Sequence, residues 1–127
     1  MVKAVEAAKR AARWAQEATY DGRCTVIEYQ QVKDETTKLT GKKEVAVIED
    51  QPCRLAYEKL SAASQTETAA GITQGIKLFL APETVIKGGS KIIVMQNGIT
   101  GVYCASGKPA VYSTHQEVIL ELFEGWV

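Results

Sequence analysis

Hydrophobic and polar positions change rhythm once along this chain, near residue 20. Before it, Ala4, Ala7, Ala11, Trp14 and Ala18 recur at steps of three and four, with Val5, Ala8, Ala12 and Ala15 alongside. Lys3, Glu6, Lys9, Arg10, Arg13 and Glu17 fill the opposite side. That spacing predicts an amphipathic helix over residues 1–19, and Asp21-Gly22 breaks it. From Arg23 the period falls to two, the mark of a strand with one buried side. Thr25, Ile27 and Tyr29 share one face, and Cys24 and Val26 begin the other. Residues 33–43 form a polar connection with Asp34, Glu35, three threonines and Gly41, and residues 44–49 return as the second half of a hairpin with a long tip. Pro52 then precedes Cys53-Arg-Leu-Ala-Tyr57. A proline gives no N–H to a ladder, so this third short strand is expected at a sheet edge.

The second half organises the rest. Gly75-Ile-Lys-Leu-Phe-Leu80 places Ile76, Leu78 and Leu80 on one face and Lys77 and Phe79 on the other, and Ala81-Pro82 ends it. Gly88-Gly89 turns the chain into Lys91-Ile-Ile-Val-Met95, and Asn97-Gly98 is the signal for a tight hairpin, because both residues tolerate positive φ. Residues 99–104 are then the return strand and 107–114 a connection. Val118-Ile-Leu-Glu-Leu-Phe123 carries apolar residues on both faces. A strand buried on two sides points to a sheet curled on itself. The expected fold is mainly β: a small antiparallel β-barrel of about six to seven strands with an N-terminal α-helix and a long internal loop. It forms one domain, residues 1–20 supplying the helix and 21–127 the barrel.

The long loop spans residues 58–71. After Leu60 its sequence, Ser61, Ala62, Ala63, Ser64, Gln65, Thr66, Glu67, Thr68, Ala69, Ala70 and Gly71, holds no strong apolar residue and cannot pack a core. Loops this long are commonly either functional or disordered until they meet a partner. The helix also needs a surface, because alanine buries little area and an isolated helix of this length is marginal in water. An end of its own barrel and a neighbouring subunit are both open as that surface.

A chain of 127 residues with 46% hydrophobic and 24% charged residues is ordinary for one globular domain. Fifteen basic residues balance fifteen acidic ones, which removes any global electrostatic reason for nucleic-acid binding. Cys24, Cys53 and Cys104 are odd in number and widely spaced, with no leader pattern ahead of them. This leads to the expectation of a reducing compartment, a soluble protein and no disulfide framework. No apolar run approaches the roughly 20 residues that span a bilayer, so no membrane role is expected.

Candidate chemistry is sparse. His115, the single histidine, has Glu117 two residues on and therefore on the same strand face. Cys104 and His115 are the one pair that offers a thiol with a base, but neither lies in a nucleophile motif. Three cysteines and one histidine lack the paired spacing of a structural zinc site. The glycines at 71, 75, 88 and 89 match no phosphate-loop fingerprint, and the tyrosines are too dispersed for a base-stacking platform. A non-catalytic protein without cofactor or metal is the expectation.

Gly89-Ser-Lys-Ile-Ile-Val, Tyr103, and Ser106-Gly-Lys-Pro-Ala-Val-Tyr-Ser-Thr-His-Gln-Glu-Val-Ile-Leu-Glu are similar to the C-terminal half of the head-tail connector proteins of tailed bacteriophages, the head-closure or stopper family found also in defective prophages. Asp50-Gln-Pro-Cys-Arg-Leu and Ile76-Lys-Leu-Phe-Leu-Ala-Pro resemble the same group, so the likeness runs roughly over residues 20–123. The resemblance implies a virion neck protein that assembles as a dodecameric ring. Portal and adaptor proteins would lie above it, tail terminator and tail tube proteins below, and packaged DNA in the channel without sequence-specific contacts. It also implies that residues 61–71 project into the channel as a gate, and their near-absence of charge suits passing DNA. Pro109, Tyr112, Ser113, His115 and Glu117 match the family's segment and would fix the last strand or a subunit contact. Ala4, Ala7, Ala11, Trp14 and Ala18 are the expected subunit-contact face of the helix. A tail-completion or collar component and a free-standing ligand-binding barrel are the alternatives.

Overall fold

A computed structural model describes residues 2–59 and 74–126 of the chain. One helix, α1 (Val2–Glu17), precedes six strands: β1 (Gly22–Lys33), β2 (Thr40–Lys59), β3 (Gln74–Leu80), β4 (Lys91–Gln96), β5 (Ile99–Val111) and β6 (Gln116–Leu122). The strands close into an antiparallel barrel in the order β1-β2-β3-β6-β5-β4. The inward face of each strand supplies the core: Cys24 and Val26 from β1, Cys53 and Leu55 from β2, Leu78 and Leu80 from β3, Ile92 and Val94 from β4, Tyr103 and Ala105 from β5, and Val118 and Leu120 from β6. Ile86, from the β3–β4 connection, completes it. Alternation in the sequence therefore becomes alternation between barrel interior and outer surface.

Two turns follow directly from residue type. Asn97 and Gly98 take φ values of 54° and 76°, the left-handed pair of the tight β4–β5 hairpin. Gly22 opens β1 where a Cβ would come within 2.9 Å of Gln96 Oε1 and 3.1 Å of the Cys53 carbonyl oxygen, so a side chain there would displace the Gln96 amide from the barrel end. Gln96 uses that space. The Leu55 N–H donates to its Oε1 at 2.8 Å and its Nε2 donates to the Leu55 carbonyl at 3.1 Å, so one amide side chain ties the end of β4 to β2 where the two strands share no ladder. Gln116, nearly fully buried, does similar work at the other end, donating from Nε2 to the carbonyls of Ala81, at 2.8 Å, and Thr84.

Three sequence expectations are corrected. Residues 53–57 are no separate edge strand: they continue β2, which pairs with β1 from Thr40 to Cys53 and with β3 from Cys53 to Lys59. Pro52 is accommodated because Asp50, at φ 52°, bulges the strand just before it and β3 joins one residue after it. The expected connection at 107–114 is mostly strand, since β5 runs to Val111 through a register shift between Ser106 and Ala110 with Gly107 at φ 73°. The last strand is buried on one side only. Val118 and Leu120 face inward, but Ile119 on the outside is 44% exposed. The barrel was the right inference, drawn from a residue that faces solvent.

Candidate functional site

Two elements stand off the barrel. In α1 every described side chain from Lys3 to Ala12 is exposed, and Trp14 is 76% exposed. Ala4, Ala7, Ala11 and Ala18 are exposed as well, so of the two surfaces open to the helix its own barrel is not the one used along that length. Only its C-terminal turn is tied down. Arg13 Nε donates to Glu17 at 3.0 Å and its Nη2 to Glu83 on the β3–β4 connection, contacts that hold the guanidinium far above its usual range and the Glu83 carboxyl below the usual carboxylate range. Thr19 Oγ1 donates to the Gln16 carbonyl at 2.6 Å and closes the helix end.

The second element is a β-ribbon. From residue 28 to 33 β1 pairs only with β2, because its ladder with β4 ends at Ile27, and from 40 to 50 β2 pairs only with β1. All side chains from Gln31 to Glu44 are exposed, Leu39 by 71%. Asp34 organises the tip. Its Oδ1 accepts from the Thr36 N–H at 2.8 Å and the Thr37 N–H at 3.3 Å, which lowers its pKa, while Lys38 takes φ 60° and donates its N–H to the Asp34 carbonyl.

The ribbon's root is held by the segment after β6. The Phe123 N–H donates to the Val102 carbonyl at 3.2 Å, and Lys91 Nζ lies 4.9 Å from the Phe123 ring centre. Trp126 meets Phe123 edge-on at 5.1 Å, stacks on Tyr29 at 4.9 Å and donates Nε1 to Glu44 Oε2 at 2.8 Å. Lys91 Nζ reaches the same oxygen at 3.0 Å, so the indole first and the ammonium second hold Glu44 below the usual carboxylate range. This clasp was not foreseen from sequence. Its one signal is an aromatic residue after Gly125, which takes φ 113° and so turns the tail back.

His115 lies in a third constellation on the outer surface. Thr114 Oγ1 is 2.9 Å from Nδ1, Glu117 Oε2 is 3.0 Å from Nε2, and the Tyr112 ring stacks on the imidazole at 5.0 Å. Phe79 flanks it at 5.8 Å, and Lys77 Nζ lies 3.5 Å from Glu117 Oε1. His115 first, then Lys77, keeps Glu117 below the usual carboxylate range. Tyr112, His115 and Glu117, three of the residues picked out by the resemblance, lie together here. Ser113 is exposed and Pro109 half-buried, and among the described residues neither adds a hydrogen bond to the group. With Tyr112 over the imidazole and its backbone N–H bonded to the His115 carbonyl at 2.8 Å, the cluster clips the β5–β6 turn.

The other proposed pair separates. Cys104 sits opposite Glu121 and His115 precedes Gln116, so they mark opposite ends of β6. Burial and Glu121 push the Cys104 thiol up, away from thiolate reactivity. Cys24 and Cys53 are buried free thiols on adjacent strands, Cys24 raised by its hydrogen bond to Cys53 and by burial. The expected channel loop, residues 61–71, lies outside the described residues.

Neither a protein-family model nor a curated protein matches the chain. Among solved structures it is similar to the xkdH protein of the phage-like element PBSX from Bacillus subtilis, at 15% identity and a TM-score of 0.48, over 80% of this chain and 93% of that one. A likeness of that size carries no function, which has to be read from the chain's own segments and surfaces.

Proposed function

We propose that this protein is a structural head-tail connector of a tailed phage, one subunit of a ring that lies below the portal and adaptor, closes the DNA-filled head and offers the tail its docking surface. The observation that supports the reading is where the family-like segments fall. Of the segments 50–55, 76–82, 89–94, Tyr103 and 106–121, all but the turn residues lie in β2, β3, β4, β5 and β6, which are consecutive neighbours β2-β3-β6-β5-β4 in the barrel wall. Fragments scattered in sequence therefore form one continuous surface. In this reading α1 and the ribbon, which stand clear of the barrel, are the parts that meet other subunits, the adaptor or the tail. The protein would be non-catalytic, belong to the virion neck, and assemble in the host cytoplasm.

A ligand-binding barrel fits less well, because Leu78, Leu80, Ile92, Val94, Val26 and Val118 fill the interior with almost no exposed area. Electron microscopy of particles lacking the protein tests the proposal. Full heads that leak DNA are expected. Stable full heads with defective tails would reassign it to tail completion or the collar. Cys104→Ala combined with His115→Ala should leave particle assembly at the wild-type level, and its loss would reopen a thiol role.

A further inference from the structure

The charges of this chain balance overall but not by region. Helix α1 carries four basic and two acidic residues, and residues 30–43 of the ribbon carry Lys33, Lys38, Lys42 and Lys43 against Asp34 and Glu35. Since the totals are equal, the remainder has four more acids than bases. Much of that remainder is neutralised locally, with Glu28 beside Lys87, Glu44 beside Lys91, Asp50 beside Arg23 and Glu117 beside Lys77. Glu121 and Glu124 are exposed and have no ion-pair partner among the described residues. Glu121 sits opposite Cys104 in the β5–β6 ladder, and Glu124 follows Phe123, whose N–H donates to the Val102 carbonyl, so both border the outer wall formed by β5 and β6. Val102 and Ile119, exposed at 39% and 44%, lie on the same wall. It is a small acidic face with apolar patches.

We propose that the ribbon of one copy docks on this β5–β6 face of a second copy through the side that carries Val32, Leu39 and Lys43, with Lys43 and the tip residue Lys38 meeting Glu121 and Glu124 and Val32 and Leu39 meeting Val102 and Ile119. Six ribbon residues in β1 reach about 20 Å, the width of about four strands, which is enough to cross the face. The opposite arrangement, two ribbons pairing edge to edge through their unladdered strands, brings together two segments that both carry an excess of lysine and is disfavoured. A ribbon-to-wall contact joins unlike surfaces, so it propagates from copy to copy and closes into a ring when the rotation allows. The root clasp of Tyr29, Trp126 and Glu44 fixes the ribbon's direction, so less freedom is lost on docking. The inference rests on the ring reading only in requiring a second copy.

The test uses the purified full chain and two charge-reversed variants, Lys38→Glu with Lys43→Glu, and Glu121→Lys with Glu124→Lys. All four positions are exposed, so each variant is expected to unfold at the wild-type midpoint. Sedimentation should show the wild type self-associating, each variant weakened by about tenfold or more, and an equimolar mixture of the two recovering association through the swapped charges. A thiol introduced by Thr36→Cys in the ribbon should be bridged to Cys104 of another copy by a short bifunctional iodoacetamide at alkaline pH, where the raised Cys104 thiol ionises, and Cys104→Ala should abolish the bridge. If both variants associate as the wild type does, or the mixture fails to recover, this contact is overturned and the ring reading stands. If the wild type stays a single chain at every concentration and when mixed with portal complexes, both fall.

Discussion

The barrel body and the ribbon are made from the same two strands, and they obey different rules. Up to Ile27, β1 has β2 on one side and β4 on the other, and Cys24 and Val26 are sealed inside. Beyond it the same strand has one neighbour, and no side chain from Gln31 onward is buried. A two-stranded ribbon in water is marginal at best, so this one persists because the body and the Trp126 clasp hold its root. The body's residues answer to packing and the ribbon's to whatever it meets.

Substitution should expose that division. The largest effect is expected in the body: Leu78→Ala or Leu120→Ala should lower stability by about 2–5 kcal/mol, read by chemical denaturation. Gln96→Ala comes next, at about 1–3 kcal/mol, because it strands the Leu55 N–H and carbonyl at the barrel mouth. Removing residues 1–18 should cost the isolated barrel less than a core truncation does while reducing its joining to other subunits, and unfolding of the shortened chain would place the helix in the core after all. Glu117 gives a smaller, pH-dependent effect. Its folded pKa is lowered, so its contribution is present above the ordinary carboxylate value of ~4.3 and fades as pH falls through the depressed value. Glu117→Gln should therefore be less stable than wild type at neutral pH by a few tenths of a kcal/mol, a gap that closes in acid. Trp126→Ala should leave the denaturation midpoint nearly unchanged yet quicken amide exchange in residues 28–33 and 40–45. Equal exchange in the two proteins would show that the clasp does not hold the ribbon.

The parts of this fold legible in the sequence were those fixed by local rules. Helix spacing in residues 2–17, alternation in β3 and β4 and the Asn97-Gly98 turn each need only neighbouring residues to decide them. What misled was long-range. Pro52 looked like the start of an edge strand because its tolerance depends on the bulge at Asp50 and on where β3 arrives, neither of which is a property of that segment. Ile119 read as buried because a period-two pattern shows that a residue is apolar and cannot show what covers it. His115 and Glu117 could be read as neighbours because they lie two residues apart where β6 begins, whereas Phe79 and Lys77 reach them only across the β3–β6 ladder. The root clasp was not, since Trp126 and Glu44 are brought together only by closure of the barrel.

That closure has a consequence for how the protein folds. The strand order divides the barrel into two meanders, β1-β2-β3 and β4-β5-β6, sewn along two seams, β1 to β4 and β3 to β6. Within each meander neighbours in space are neighbours in sequence, so each half can form early, whereas both seams join residues far apart in the chain and must wait for loop closure. A ribosome releasing this chain sets free a three-stranded sheet with two raw edges before the half that covers them exists. Among the described residues the connection at 81–88 makes no backbone-to-backbone hydrogen bond to a strand, and a chain cut there should yield two pieces that are sticky when kept apart and that reassemble the barrel when mixed.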